Sequence, residues 1–491
     1  MTARGARRLL IAFVSVTVLL LGAWLVLLRE VPQPQSNDPS FIFNHGSIGN
    51  ETTQGLPYWI WRVLPTVFAD HLPSDQRGWA AIGVVWRPGE PLPIGFSQKT
   101  LGVIPRVSPN CAFCHQGSYR LYPEDPETIV SGAPGTRINI QGFVRFLIAA
   151  GQDDRFNSNT IMAEINRIYD MPLWERMLYR YLLIPATRSA LKGQAADLAW
   201  TTTRPDWGIG RVDPFNLPKY TFLGLQDDGT IGTSDMMSVW DINSAAPTAH
   251  RRFSVHWDGL QTDVEETMVS GSIGDGMTRH SYAGARENLD VIFDFIGNAM
   301  PPDSPFSPDL DPGDPYYVPA SDVVRGEEIY EGLCADCHEP SGQRFRTPIS
   351  ITELGTDRHR MDMWSYAARQ AYSDYEEGYY WGFTHFQKSN GYLAVPLTGL
   401  WMRGPYLHNG SVPHLRALLT PPKDRPTNFW RGSDLVDPEN GGYVTDNSAD
   451  PYRFMWQVDT SVPGNANTGH TWGTDLGQAD KQALLAYLKT L

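Results

Sequence analysis

Cysteine is scarce in this chain: four in 491 residues, too few to staple a protein of this size, so no disulfide framework holds it together. Charge is sparse as well, at 19% of residues, and an excess of basic side chains is missing. With 40 Lys and Arg against 54 Asp and Glu, the net charge is -14. That leaves no electrostatic footprint for a phosphate backbone and excludes nucleic acid as a partner. No fixed-period repeat runs through the chain beyond one short motif. What is present is a core-forming composition, 41% hydrophobic and 12% aromatic, interrupted by 45 Gly and 38 Pro. Such a chain buries more than one core and joins its elements by long irregular loops.

One long hydrophobic run stands out. Leu9 to Leu28 carries no charge; Arg4, Arg7 and Arg8 precede it, and Arg29 and Glu30 follow. About 20 such residues span a bilayer as a helix, and the run lacks the small-residue cleavage site of a removed signal. Residues 1–30 therefore read as a membrane anchor or signal, the anchor being favoured. The arginines ahead of the run hold the N-terminus in the cytoplasm, which puts a single-anchor protein in a bacterial inner membrane with its bulk in the periplasm.

All four cysteines fall in two copies of one pattern, Cys111-Ala-Phe-Cys114-His115 and Cys334-Ala-Asp-Cys337-His338. Two thiols three positions apart can form thioethers to the two vinyl groups of a haem, and the adjacent imidazole then turns onto the iron. A redox dithiol, a shared zinc site or two local disulfides would leave both histidines unexplained. The cofactors expected are two covalently attached haem c groups, with His115 and His338 as iron ligands. Covalent haem attachment outside the inner membrane agrees with the reading of the N-terminus.

The two histidines stand 223 positions apart, more than one small haem domain needs, so two domains are expected. The proline-rich stretch beginning Met300-Pro-Pro-Asp-Ser-Pro marks the boundary: residues 31–310 form a first haem domain with large insertions, residues 311–491 a second. Ser321 to Leu333 reads as an amphipathic helix leading into the second motif. Asp480 to Leu491 sets Leu484, Leu485, Leu488 and Leu491 on one helical face, and Asn139 to Ala150 and Ile161 to Leu183 carry helical spacing in the first domain. The fold class expected is mainly α with long irregular loops, two cytochrome c-type haem domains behind an N-terminal transmembrane helix.

The segment Arg403-Gly-Pro-Tyr-Leu-His408-Asn-Gly-Ser-Val-Pro-His-Leu, together with the order of the two motifs, resembles the bacterial di-haem cytochrome c peroxidase superfamily. His256-Trp257-Asp258-Gly259 followed by Val264-Glu-Glu, and Gly464-Asn-Ala-Asn-Thr-Gly-His470 near the C-terminus, are similar to its rubber oxygenase-like branch. The resemblance runs from about Gly78 to the C-terminus. It implies an asymmetric pair of haems, one with an open sixth position where peroxide or dioxygen reacts, the other fully ligated and relaying electrons. In the rubber oxygenase branch the reactive haem is the N-terminal one, which makes His115 its proximal ligand and His338 that of the relay haem.

A sixth ligand for the second haem must be a soft or imidazole donor after His338. The candidates are Met361, Met363, Met402, Met455, His359, His385, His408, His414 and His470. His470 leads, because its Gly- and Asn-rich loop can approach a haem face and because it matches a late axial histidine of the rubber oxygenase branch. His408 is the next candidate, otherwise a hydrogen-bonding residue near a propionate. At the first haem, Glu265, Glu266 or His256 can supply the base that peroxide cleavage needs, and Trp257 can shape the pocket or pass an electron. The alternatives are a solvated helix start for the two glutamates and a core position for Trp257, or an apolar cavity walled by Ile273 or Trp257. Arg106, Arg120, Arg403 and Arg431 are candidates to neutralise propionates.

These readings converge on a periplasm-facing di-haem c-type oxidoreductase, peroxidase-like or dioxygenase-like, served by a redox partner whose docking face is basic. The alternative is a non-enzymatic electron-transfer cytochrome.

Overall fold

A computed structural model describes residues 13–18, 20–22, 29–33, 36–245, 254–375, 383–450 and 453–491. Its helices fall close to where helical spacing puts them. Ile140–Gln152, Ala320–Leu333 and Gln478–Thr490 are helices, while the stretch expected over 161–183 divides into Ser158–Ile168, Leu173–Leu178 and a π-helix over Tyr179–Leu183. The helices that flank the second motif pack on each other through a close approach at Gly326, where a Cβ would lie 2.2 Å from the Ala483 carbonyl oxygen.

The expectation of a mainly α fold is corrected by twelve strands in five antiparallel sheets among the described residues. The largest is built from β1 (Glu30–Gln33), β2 (Leu56–Pro57), β3 (Phe96–Leu101) and β4 (Ile104–Pro109), in the order β1-β3-β4-β2. The hairpin β3-β4 turns at Gly102, whose φ of +64° suits glycine. It pairs Phe96 with Pro109 and Leu101 with Ile104. The other four sheets have two short strands each; they arise from loops that fold back on themselves, which helical periodicity does not register.

The expected N-terminal transmembrane helix, and with it the inner-membrane anchor, is also corrected. No helix among the described residues is long and apolar enough to cross a membrane, which takes about 20 residues. Residues 9–12, 19 and 23–28 of the hydrophobic run lie outside the described residues.

Two cores matter for the site. One collects Ile42, Phe43, Leu260, Val269 and Ile273 around Cys111, and draws Met363, Trp364 and Phe386 from beyond residue 310. The other packs Tyr330, Leu415, Leu484 and Leu488 against Cys334. The proline-rich stretch after Met300 is not a free tether: Phe306 and Tyr316 are buried, and Ser304 Oγ donates to the Lys489 carbonyl at 2.6 Å in the C-terminal helix.

Candidate functional site

Asn110 builds the first motif. Its side-chain oxygen accepts from Ala112 N and starts the helix Cys111–Cys114, while its Nδ2 donates to the Phe43 and Gly46 carbonyls at 3.1 Å each. Gly95 lets the neighbouring chain run against this helix, since a Cβ there would lie 2.6 Å from Phe113 Cα. His115 Nδ1 lies 2.9 Å from the Met237 carbonyl oxygen. A carbonyl only accepts, so Nδ1 carries the hydrogen and Nε2 keeps its lone pair for a metal. Burial lowers the His115 pKa and favours this neutral form. Burial, with the charge of Asp275, pushes the Cys111 thiol up to about 12 and raises Cys114.

The second motif follows the same plan. The helix Ala320–Leu333 ends at Cys334, a short turn Ala335–His338 carries the rest, and His338 Nδ1 donates to the Val395 carbonyl at 2.7 Å. Across from it stands His470, with ring centroids 6.5 Å apart. A metal about 2 Å from one nitrogen of each ring sets centroids roughly 6.3 Å apart. Burial, then the proximity of His338, lowers His470 to about 4 and keeps it a neutral donor. Cys334, Cys337, His338, Arg403, His408 and His470 line one cavity of about 280 Å3. Two thiols, two imidazoles facing across a metal-sized gap and a buried arginine fit a haem c with its carboxylates.

The loop carrying His470 is held on several sides. Asn409 Nδ2 donates to the Gly464 and Ala466 carbonyls at 3.1 Å each, and Ser411 Oγ donates to Ala466 O. Arg425 donates to the carbonyls of Asn467, Gly469 and His470. Gly469 presses so close to Gly355 that a Cβ would lie 2.3 Å from its carbonyl carbon. Tyr406 and Val412 exchange backbone bonds in both directions, closing the Pro-Tyr-Leu-His-Asn-Gly-Ser segment into a rigid clamp. The Asn-Gly-Ser part of that segment thus positions the axial candidate from a distance.

His408 itself faces the same cavity. Both its ring nitrogens lack a partner among the described residues, burial lowers it to about 3, and its ring lies 4.3 Å from Tyr392 and 5.5 Å from Trp257. Trp257 is buried and lines the cavity of the second motif. His256 touches Asp258 at 3.1 Å, and Asp258 also takes Arg360 at 2.6 Å. Burial raises the Asp258 pKa, but the charges of His256 and Arg360 outweigh it and hold the group low.

Glu266 is buried and its carboxylate is fully used, accepting from Gln261, from Thr384 N and Oγ1, and from His385 N and Nδ1. Glu265 is exposed in the first turn of the helix Val264–Gly274. Ile273 packs in the core beside Cys111. Among the other axial candidates, Met361, Met363, Met402 and Met455 are buried in apolar packing. His359 bonds Asp357, His385 bonds Glu266, and His414 caps the turn Leu415–Leu418. Of the arginines, Arg120 is committed to Asp434 and Asp450, Arg431 to Asp235, and Arg106 donates to Thr52 O. Arg403 alone of the four lines the cavity; its Nη2 reaches Asp241 at 3.5 Å and Thr398 at 3.4 Å, while its Nε has no partner among the described residues.

Sequence reasoning missed Met237, Val395 and Arg425, because a carbonyl acceptor can belong to any residue and leaves no signal. It also passed over Asp275, an exposed residue whose carboxyl turns inward, where desolvation raises its pKa to about 7. An acid next to a glycine-ended helix, near the Val264-Glu-Glu segment, was the available hint.

Residues 391–431 match a family described as RoxA-like, cytochrome c-like. The matched segment includes Val395, Asn409, Ser411 and Arg425, which hold His338 and the His470 loop, and Arg403 and His408, which line the cavity. A cytochrome c-like domain implies covalently bound haem c. Two proteins of Sinorhizobium fredii (strain NBRC 101917 / NGR234) also match. Uncharacterized protein y4iJ is 45% identical over 109 residues, covering 20% of this chain and 18% of its own length. Uncharacterized protein y4iM is 29% identical over 213 residues, 37% of this chain and 46% of its own. The matched stretches thus span less than half the length of either relative.

Proposed function

We infer that the chain is a di-haem c-type oxidoreductase of the cytochrome c peroxidase superfamily. Its N-terminal site, at His115, reacts with peroxide or dioxygen, and its C-terminal site, at His338 and His470, relays the electrons. The observation that carries this reading is the asymmetry of the two motifs. His338 faces a second imidazole at 6.5 Å, whereas at His115 the neighbouring imidazole, His256, acts through its charge and makes its own close contacts with Trp257 and Asp258. A haem c supplies one-electron chemistry and, where one axial position is open, a place for peroxide or dioxygen to bind.

The chain's own residues account for the rest. The Met237 and Val395 carbonyls fix the tautomer of each proximal histidine and raise its basicity as a donor. Met237 and Trp257 both line the cavity of the second motif, so the peptide that grips His115 also borders the relay site. Arg403, buried beside the cavity, is the residue to balance haem carboxylates. Apolar packing by Leu260, Val269 and Ile273 next to Cys111 excludes water from that side.

Glu266, committed to its five donors, is no proton acceptor. That favours a first site with an apolar wall, and it also keeps the electron-transfer reading alive. The two readings separate in an electron paramagnetic resonance spectrum of the oxidised, haem-loaded protein. One high-spin and one low-spin ferric signal are expected; two low-spin signals in the oxidised protein, with the haem that stays ferric after one-electron reduction still low-spin, would leave electron transfer alone.

A further inference from the structure

A cluster of exposed apolar side chains lies more than fifty residues along the chain from either motif. Leu173, Trp174, Met177, Tyr181 and Leu182 are each 50% to 74% exposed, side by side on the helical stretch from Leu173 to Asp197. Ordinary α-helical winding would carry positions four apart steadily around the axis. Here the π-helix Tyr179–Leu183 takes up an extra residue, just ahead of Pro185, which has no N–H to give the Tyr181 carbonyl. Exposed positions four apart thus stay on one face, and the series continues through Pro185, Ala186, Ser189 and Ala190, all exposed.

Two properties of this face point to its occupant. Side-chain size falls from one end to the other: Leu, Trp and Met near residue 173, Ala and Ser near residue 190. Charge changes as well. Asp170 stands fully exposed at the large end, 3.8 Å from the exposed Arg176, and Lys192 is exposed at the small end. Between Leu173 and Ala190 the one carboxylate, Glu175, is buried and bonded to the Tyr169 hydroxyl. A surface rich in Trp, Tyr, Met and Arg and poor in exposed acids has the composition of a protein interface core.

We propose that this helix face is a two-fold interface with a second copy of the chain, packed antiparallel about Tyr181 and Leu182. Reversal about that point sets Trp174 over Ser189 of the partner subunit and Met177 over Ala186 of the partner subunit, large against small. The same reversal brings Asp170 beside Lys192 of the partner subunit, twice per dimer. An isologous contact of this kind needs one patch that complements itself, which the size and charge gradients provide. The inference is independent of the redox chemistry proposed above.

Sedimentation of the haem-loaded full chain tests it, with the Soret band confirming that each variant is folded. The parent is expected to be a dimer. Trp174→Ala weakens it about thirtyfold or more, as for a central interface aromatic. Asp170→Lys weakens it about tenfold by opposing like charges, and Asp170→Lys combined with Lys192→Asp restores it. That rescue is specific to self-pairing: a bilayer or a different protein on this face would not produce it. A parent that stays monomeric at tens of micromolar overturns the proposal. So does binding of phosphatidylglycerol vesicles through Trp174 without dimer, or a double variant no tighter than the single one.

Discussion

His470 sits at φ +48°, a left-handed setting that costs a residue with a Cβ roughly 1–2 kcal/mol. Such strain persists only where the surroundings over-determine it, and here they do, through Arg425 and the backbone bond from His470 N to the Leu354 carbonyl. Replacing His470 by Gly should therefore leave the unfolding free energy within about 1 kcal/mol of the parent, strain relief offsetting lost packing. If His470 is the axial ligand proposed for the second motif, the same variant should lose that site's low-spin signal, and added imidazole should bring it back. Asp275 gives a different readout. Its pKa is raised to about 7 in the folded state by burial, so ionising it costs more there than in the unfolded chain. Stability contributed by the neutral acid is present at low pH and is lost as pH rises through 7. Asp275→Asn should match the parent in thermal midpoint near pH 4 and exceed it increasingly up to pH 7, with no further gain above. A melting series across that range checks it; a variant that trails the parent at pH 8 would refute the burial argument.

At the scale of elements, the two motifs were legible because each packs its donors into five consecutive residues, and His470 because Gly and Asn crowd around it. The clamp was not legible as a clamp. Asn409 and Ser411 act on a loop more than fifty residues later, through carbonyls that carry no side-chain signature. The small sheets were missed for a related reason: strands of two to four residues are too short for alternation to show. If the clamp holds the axial loop, Asn409→Ala should cost about 1–3 kcal/mol, because the buried Gly464 carbonyl loses its side-chain donor while Ser411 still reaches Ala466. It should also broaden the low-spin signal proposed for the second site while leaving the high-spin signal proposed for the first unchanged. Gly469→Ala should be more severe, since its Cβ would meet backbone at 2.3 Å and nothing flexible can yield. Chemical denaturation paired with resonance spectra of both variants separates loosened ligation from general unfolding.

Across the whole molecule, the parts before and after residue 310 are tied by ion pairs that no local pattern could announce. Asp434 is the node, taking Arg120 at 2.7 Å and Arg453 at 2.9 Å, with Arg137 at 3.6 Å. Burial raises its pKa, but the Arg120 bond and the three positive charges outweigh burial and hold it below the usual carboxylate value. A depressed acid contributes stability above its unfolded pKa and loses it as pH falls through the folded value. Asp434→Asn should therefore cost about 1–3 kcal/mol at pH 7, since Arg120 keeps Asp450 while Arg137 and Arg453 keep Glu127, and the deficit should narrow steadily below pH 4 in a denaturant series. The buried thiols carry a consequence for how the molecule comes to exist. With no haem attached, burial pushes the Cys111 and Cys334 thiols of the closed fold up to about 12 and 11, which leaves little thiolate at neutral pH. Loading is therefore expected to run faster on an open chain, before Arg120 meets a partner more than three hundred residues downstream. Maturation then favours one order in time, haem first and closure after.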